Sequence, residues 1–372
     1  NFGADHQFKL SKPAKNFLQS LESKKNLLNK NGLFFGRSKV AVGSFYSENK
    51  VECQECGLCH YGCPYDCMFN STQLLDLHRK NENFEYIGNK FAKKINLSEN
   101  INSLECIDIN TNKKFLYSAK NIFLCCGPIS TAALLFRSNL VKDKKVVFKE
   151  SQRFFLPIFN KKNIKDSTSQ NKNVLSELYL ELYDKNIMSK SVHLQYYTFI
   201  DIFLKPLEKI LGSLVYLFPR VFPFIFGRIN LLIGYLHSDY SNKIVMSPSI
   251  DDSNEIYKYK LSFEKNNKIK DVINKITSHL KHNLNEDFYI SKNLTNINLT
   301  GASYHYGSSF PMTNTSNFQL DYTNLNGELN NYKNIFLLDA SILPDMPAHP
   351  TTFNVCINVS RIINNLNTQG RI

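Results

Sequence analysis

Residues 121–137 read NIFLCCGPISTAALLFR, and the hydrophobic period changes within this segment. The apolar run over residues 122–126 is short and continuous, which is typical of a buried strand. Gly127 and Pro128 interrupt the run, and proline is favoured in the first turn of a helix. Residues 132–135 then continue the apolar positions at helical spacing. The segment therefore predicts a buried strand that turns sharply into a helix, and with it a mixed α/β fold.

A second strand-to-helix segment lies near the carboxyl end. Residues 334–338, NIFLL, predict a buried strand that runs into Asp339, Ala340 and Ser341. Residues 347–352, PAHPTT, then open a helix with apolar positions at a 3.6-residue period, namely Val355, Val359, Ile362, Ile363 and Leu366. Since helix N-termini carry unpaired backbone amides and favour negative charge, we expect this one to hold an anion or an electron-rich carbonyl.

Periodicity also predicts the elements between these segments. An amphipathic helix is expected over residues 13–30, and a meander of short strands between residues 84 and 126. Polar sequence over residues 160–173 predicts a surface loop near which a second region begins. Two strands are expected within residues 244–259, and a surface helix over residues 265–292.

The composition restricts the class of protein. A length of 372 residues predicts two domains, and 42% hydrophobic with 21% charged residues indicates a globular chain. The formal net charge is +13, but only 8 of the 45 basic residues are arginine and the lysines are scattered. A protein that binds nucleic acid clusters its basic residues and favours arginine, so we expect no nucleic-acid partner. The remaining interpretations are a basic soluble surface or attraction to anionic lipid.

The most hydrophobic region, residues 199–236, is interrupted by proline and arginine and lacks the roughly 18 continuous apolar residues of a spanning helix. It predicts either a buried helix pair that covers substrate or a monotopic contact with a membrane. The sequence begins with Asn1 without the charged and apolar regions of a leader, so we expect no signal peptide, and five of nine cysteines lie within residues 53–67. This distribution suits a reducing compartment, so we expect a cytoplasmic protein, with association at a membrane surface as the alternative.

The cysteine motif is Cys53-x2-Cys56-x2-Cys59-x3-Cys63 followed by proline. This is the spacing of the bacterial ferredoxin run, which predicts an iron–sulfur cluster of the 3Fe–4S or 4Fe–4S type. The cluster would use all four thiolates, or three of them with one of the other cysteines, Cys67, Cys106, Cys125, Cys126 or Cys356. A zinc ion held by four thiolates and a reduced loop without metal are the alternatives.

A third segment, SYHYGSSFPM over residues 303–312, contains His305 seven residues before Met312. Together with residues 123–135 and 339–352, it resembles the glucose-methanol-choline (GMC) oxidoreductase family of FAD enzymes. The resemblance covers roughly residues 32–140 and 295–366. The run around Gly36 and Arg37, the cysteine motif and the pair Asn70-Ser71 look most like a bacterial branch associated with polysaccharide gene clusters. They are more distantly similar to iron–sulfur-bearing sugar dehydrogenases.

The resemblance implies roles for particular residues. His305 and His349 fall on the family's active-site pair in front of the flavin, with His305 as the base and His349 orienting the substrate oxygen, or the reverse. Asp339 and Ala340 would lie along the pyrophosphate and ribityl of FAD. The backbone of Pro350, Thr351 and Thr352 would face the pyrimidine side of the ring. Gly127 is either a contact of FAD or a tight-turn glycine.

The resemblance also implies a domain organisation and an activity. Residues 1–150 and 295–372 would form an FAD-binding domain, and residues 151–294 a substrate domain with an antiparallel sheet and helices. The activity would be oxidation of an alcohol or sugar hydroxyl by hydride transfer to flavin N5, with electrons passing to an external acceptor such as a protein.

One departure concerns the family's G-x-G-x-x-G motif, which the sequence lacks. We expect an FAD domain without its first βαβ unit because the sequence is partial, or else a homologue that no longer binds FAD. Two other functions are therefore kept open. One is an iron–sulfur electron carrier or redox sensor with a vestigial flavin site, and the other is a non-catalytic membrane-surface protein of envelope polysaccharide assembly.

Overall fold

The fold is mixed α/β with antiparallel sheets and a few helices, as the sequence predicts. The computed structural model describes residues 9–42, 53–162, 164, 174–199, 212–217, 227–249, 258–314 and 321–372. Contacts divide the chain into two compact units. The first comprises residues 1–86, 154–235 and 270–297, and the second comprises residues 87–153, 236–269 and 298–372.

The described strands are β1 Leu33–Arg37, β2 Lys90–Asn96, β3 Asn102–Asp108, β4 Lys114–Ala119, β5 Ile122–Leu124, β6 Val146–Glu150, β7 Arg153–Asn160, β8 Leu178–Leu182, β9 Val192–Thr198, β10 Ile229–Tyr235, β11 Lys243–Ser249, β12 Lys258–Glu264, β13 Phe288–Ile290, β14 Asn296–Ile297, β15 Tyr306–Gly307 and β16 Ile335–Leu337. The described α-helices are α1 Lys12–Ser23, α2 Lys25–Lys30, α3 Ser71–His78, α4 Pro128–Arg137, α5 Ile269–Leu284 and α6 Thr352–Thr368. Short 3-10 turns occupy Gly212–Leu217, Ser238–Tyr240, Lys292–Leu294 and Ala340–Ile342.

The first unit contains an antiparallel sheet of seven strands in the order β1-β8-β9-β10-β7-β13, with β14 paired to β7. Helix α1 packs on this sheet through Phe17, whose ring stacks on Tyr196 at 4.5 Å and meets Phe288 edge-on at 4.9 Å. All three aromatic side chains are fully buried. The helix predicted over residues 13–30 is therefore confirmed, as the two consecutive helices α1 and α2.

The second unit contains three smaller sheets. Strands β2, β3 and β4 form the predicted meander, although residues 84–87 are not a strand. Strands β12, β11, β6 and β15 form an antiparallel sheet, and β5 pairs in parallel with β16. The predicted strand-turn-helix is confirmed, because β5 leads through Gly127 and Pro128 into α4.

Other predicted elements are confirmed in part. Strands β11 and β12 form a hairpin and α5 occupies the predicted surface helix, but the turn at residues 251–254 lies outside the described residues. Most of residues 160–173 and of the hydrophobic region between Phe199 and residue 226 also lie outside them. Among the helices in the described ranges, none has the length and apolar character needed to span a membrane.

The compact units divide the chain differently from the predicted domains. Residues 1–86, predicted to belong with the C-terminal segment, lie in the unit of the large sheet. The cause is the pairing of β1 with β8, which runs from Leu33 opposite Leu182 to Arg37 opposite Leu178. Hydrophobic periodicity identifies a strand but not its partner, so the sequence pattern could not reveal this pairing.

We expect Phe17→Ala to lower the free energy of unfolding by about 3–5 kcal/mol, because a fully buried aromatic ring leaves a cavity when truncated. Urea unfolding followed by far-UV circular dichroism measures the change. Leu27→Ala is the control, since Leu27 is 54% exposed and its truncation should change stability by about 0.5 kcal/mol or less. A similar small effect for both variants would refute the proposed packing of α1.

Candidate functional site

The ends of two parallel strands define the candidate site in the second unit. Strands β5 and β16 pair from Ile122 opposite Ile335 to Leu124 opposite Leu337, and the amide of Leu338 donates to the carbonyl of Leu124 at 2.8 Å. Their carboxyl ends therefore lie side by side. In α/β proteins, ligands bind beyond the carboxyl ends of parallel strands.

Asp339 follows β16 and is nearly buried, with 8% of its surface exposed. One carboxylate oxygen accepts a hydrogen bond from the hydroxyl of Thr131 at 2.6 Å, and the other accepts from the amide of Ser341 at 2.8 Å. The side chain thus caps the turn Ala340–Ile342 and ties it to the first turn of α4. Each carboxylate oxygen thus already accepts one hydrogen bond from the protein, and the contact of Asp339 and Ala340 with FAD stays a prediction.

The loop that carries His305 lies against this turn. The amides of Ser308, Phe310 and Met312 donate to the carbonyls of Ala340, Ser341 and Ile342 respectively, each at 2.9 Å. A Cβ atom on Gly307 would lie 2.3 Å from the carbonyl oxygen of Ala340, so only glycine permits this approach. The segment after His305 is therefore fixed beside Asp339 and Ala340 by backbone contacts.

The segment that leads to His349 reaches the same place. Ser308 donates its hydroxyl to the carbonyl of Pro344 at 2.7 Å, and a Cβ on Gly307 would lie 2.9 Å from the Met346 sulfur. His349 itself is exposed, and His305 is partly exposed. The structure thus brings the segments of the two predicted active-site histidines together in one unit, next to the turn at Asp339.

Two helices begin at this site with exposed or unhindered first turns. Helix α4 follows Gly127, which has φ of +83° and no atom within 4 Å of a Cβ position, so the backbone there faces open space. Helix α6 begins at Thr352 after Thr351, whose side chain does not cap it, and both Pro350 and Thr352 are exposed. Backbone amides at such helix starts are donors for an anionic or electron-rich ligand.

The residues present fit an FAD molecule on this side of the unit. The hydroxyls of Ser309 and Ser341 are buried and lack a hydrogen-bond partner among the described residues. Buried polar atoms normally have a partner, so these two hydroxyls indicate a missing water or ligand. The groups predicted to hold the cofactor are Gly127, the turn at Asp339 and Ala340, and the backbone of Pro350, Thr351 and Thr352.

Glu150 is a site residue that the sequence did not indicate. It lies at the end of β6 with no exposed surface, opposite Tyr306 of β15. Its Oε1 accepts from the amide of Gly301 at 2.9 Å and from the hydroxyl of Ser303 at 2.7 Å, while its Oε2 is buried without a hydrogen-bond partner among the described residues. Ser303 in turn accepts from the amide of His305 at 3.2 Å, so Glu150 fixes the start of the histidine loop.

Burial raises the pKa of Glu150, against hydrogen bonds from Ser303 and Gly301 that lower it. A raised pKa in the folded state means that stability is lost as the pH rises through the folded-state pKa. Glu150→Gln keeps the acceptor oxygen but does not ionise. We therefore expect the free energy of unfolding of this variant to rise relative to that of the wild-type chain as the pH increases from about 5 to about 8.

Urea unfolding of both chains at the two pH values measures this effect. Glu22→Gln changes an exposed carboxyl on α1 and serves as the control, for which no such pH-dependent difference is expected. If the stability difference between Glu150→Gln and the wild-type chain were the same at both pH values, Glu150 would titrate as a solvated carboxyl.

A separate candidate site lies in the first unit. Five thiols line one small cavity, namely those of Cys53, Cys56, Cys59, Cys63 and Cys67. The other lining residues are Val42, Gln54, Tyr65 and Met68. Backbone amides point at two of the sulfurs, since Glu55 donates to Cys53 and Cys67 donates to Cys63, each at 3.4 Å. The predicted ligands Cys53, Cys56, Cys59 and Cys63 are therefore brought together.

The thiols of this cavity differ in acidity. Burial raises the pKa of Cys53, and burial with neighbouring thiols raises the pKa of Cys67 to about 11. Burial also opposes ionisation of Cys63, but the amides of Tyr65, Cys67 and Met68 and the thiol of Cys67 outweigh it and lower the pKa of Cys63. Amide donors stabilise the thiolate form, which is the form that binds metals.

Comparison with known proteins finds a family match in part of the chain and similar folds among solved structures. The model of the GMC oxidoreductase family matches residues 25–161. No curated protein matches the chain in sequence. None of the matches supports the more specific resemblance to a cysteine-cluster bacterial branch.

Two solved structures share the fold. Pyridoxine 4-oxidase from Mesorbium loti has a TM-score of 0.51 and 14% identity, over 82% of this chain and 61% of that protein. An FAD-dependent oxidoreductase from Chaetomium thermophilum, solved with a bound fragment, has a TM-score of 0.56 and 11% identity, over 81% of this chain and 65% of that protein. The chain spans less than two thirds of either structure, and at these identities the likeness concerns the fold alone.

Proposed function

We propose that this chain belongs to an FAD-dependent GMC oxidoreductase that oxidises an alcohol or a sugar hydroxyl. The observation that carries the proposal is the convergence of the His305 loop, the turn at Asp339 and the segment before α6 on one side of the second unit. The family match over residues 25–161, which includes β5 and α4, supports the same assignment. FAD would supply the hydride acceptor at flavin N5.

His305 and His349 are the proposed catalytic residues. His305 takes the proton of the substrate hydroxyl, for which an imidazole with a pKa near neutrality is suited. His349 donates a hydrogen bond to the substrate oxygen and orients it, and the two roles can be exchanged without altering the arrangement. The start of α6 at Pro350, Thr351 and Thr352 stabilises negative charge on the pyrimidine side of the cofactor.

The backbone of Gly127, Asp339 and Ala340 holds the rest of the cofactor in this proposal. Gly127 leaves the start of α4 open to a ligand, and Asp339 fixes the turn whose backbone faces the same side. The division into an FAD domain of residues 1–150 and 295–372 and a substrate domain of residues 151–294 stays a prediction from the resemblance, and the two compact units do not follow it. A cytoplasmic location, an external electron acceptor and a peripheral membrane contact stay predictions from the sequence.

We further propose that Cys53, Cys56, Cys59 and Cys63 bind a metal cofactor, which would supply electron transfer to the acceptor. The specific observation in favour is that the four thiols line one cavity. An iron–sulfur centre carries one electron at a time, so such a centre favours a dehydrogenase with an external acceptor over an oxidase. The alternative of an electron carrier with a vestigial flavin site rests on the same cavity.

We expect His349→Ala to retain flavin while lowering the rate of flavin reduction by an alcohol or sugar by about 10² or more, the scale of lost acid–base catalysis. Stopped-flow absorption of the flavin under anaerobic conditions measures the rate, in the full-length protein. His282→Ala, which alters an exposed histidine on α5, is the matched control and should leave the rate unchanged.

Two results would contradict the assignment. Equal rates of flavin reduction in His349→Ala and the wild-type protein would remove His349 from the catalytic pair. A full-length protein that binds no flavin, although it is folded by circular dichroism, would remove the FAD proposal and favour the electron-carrier alternative.

A further inference from the structure

The cavity lined by cysteines contains one more thiol than a four-ligand site needs. Cys67 lies four residues after the last cysteine of the motif, is 1% exposed and lines the cavity with the other four. The question is therefore which metal this cavity suits and which thiols bind it. The spacing of the sulfurs and their hydrogen bonds answer both parts.

The positions of the sulfurs distinguish a single ion from a cluster. Four thiolates around one zinc ion, each about 2.3 Å from the metal, lie about 3.8 Å apart. Within the part of the chain that the structure describes, no three of the five sulfurs lie within 4.8 Å of one another. In an iron–sulfur cluster each thiolate binds a different iron, so the sulfurs are held farther apart. The sulfurs thus lack the close arrangement that a single zinc ion needs.

The order of the cysteines along the chain favours the same choice. Structural zinc sites of four cysteines pair two short C-x2-C segments separated by many residues. Here all five cysteines fall within residues 53–67, and the first four have the ferredoxin spacing with Pro64 after the last. Positive φ angles at Glu55, Gly57 and Gly62 turn the backbone sharply between them, which allows successive thiols to face one cavity.

The hydrogen bonds distinguish Cys63 from Cys67. The Cys63 sulfur accepts from the amide of Cys67 at 3.4 Å, the arrangement of a metal-bound thiolate. The Cys67 thiol instead donates to the carbonyl of Tyr65 at 3.6 Å, which requires that it keep its proton. Cys67 therefore supports Cys63 through its amide, and its thiol faces both the carbonyl of Tyr65 and the Cys63 sulfur.

The end of the loop is anchored so that Cys67 stays in place. The amide of Phe69 donates to the carbonyl of Ala41 at 2.9 Å, and Met68 forms a bridge with Val42. The side-chain amide of Gln73 donates to the carbonyl of Asp66 at 3.0 Å. A ligand role for Cys67 would require its sulfur to leave Tyr65 while these bonds hold the backbone on both sides.

We propose that the cavity holds a 4Fe–4S cluster bound by Cys53, Cys56, Cys59 and Cys63, and that Cys67 is an uncoordinated thiol that supports Cys63. The inference rests on the proposed metal site and specifies its metal and its ligands. Four thiolate ligands correspond to one thiolate on each of four irons. The test of this inference is independent of the flavin chemistry, because binding of the cluster is measured directly.

The experiment measures iron, acid-labile sulfide and zinc in the full chain after anaerobic reconstitution with ferrous iron, sulfide and a thiol reductant. We expect iron and sulfide in equal amounts, about four of each per wild-type chain. Cys63→Ser should reduce both to background, whereas Cys67→Ala, a change in the same cavity, should retain wild-type amounts. Cys356→Ser removes an exposed thiol on α6 and is the control for non-specific binding.

Each other result has a defined meaning. No metal in the wild-type chain removes the proposed metal site together with this inference. One zinc per chain and no sulfide keeps the metal site but overturns the cluster. Loss of iron in Cys67→Ala, or its retention in Cys63→Ser, overturns the ligand assignment. Urea unfolding of each variant confirms that lost iron does not result from an unfolded chain.

Discussion

The candidate flavin site depends on the carboxylate of Asp339. This one buried group accepts from Thr131 on α4 and from Ser341 in the following turn, so it joins the two strand-to-helix segments at the point where their parallel strands end. A charged hydrogen bond in a protected place is worth about 1.5–3 kcal/mol, more than a neutral one. Without these two bonds, the pairing of β5 with β16 and the backbone bonds between the histidine loop and the turn would remain, but the turn would lose its side-chain link to α4.

Gly307 determines how closely the histidine loop approaches the turn at Ala340. The backbone amides of Ser308, Phe310 and Met312 pair with the turn only because Gly307 approaches the carbonyl of Ala340 without a Cβ. The sequence places this glycine two residues after His305. The contact shows that the glycine serves the turn at Ala340, so its position follows the turn and does not have to follow the histidine.

The sequence predicted the elements with strong local signals. The change of period at Gly127, the strand before Asp339 and the helix after Pro350 are encoded in consecutive residues, and the structure confirms them. The pairing of β1 with β8 could not be predicted in the same way, because Leu33 and Leu182 are far apart in sequence and any apolar strand could pair with either. Glu150 was missed for a related reason, since a carboxylate at a strand end resembles a surface residue until its partners Gly301 and Ser303 are known.

The two candidate sites also differ in how much of their structure a local sequence signal predicts. The cysteine motif is local, so its spacing alone indicated that the thiols could converge, and the cavity they line agrees with it. The spacing could not show that the amide of Cys67 points to the Cys63 sulfur while the Cys67 thiol points to Tyr65, because that depends on the left-handed backbone at Asp66. Backbone geometry, and not the count of cysteines, therefore decides which sulfurs are available as ligands. At the candidate flavin site, backbone geometry is equally decisive, because the backbone at Gly307 determines where the histidine loop meets the turn.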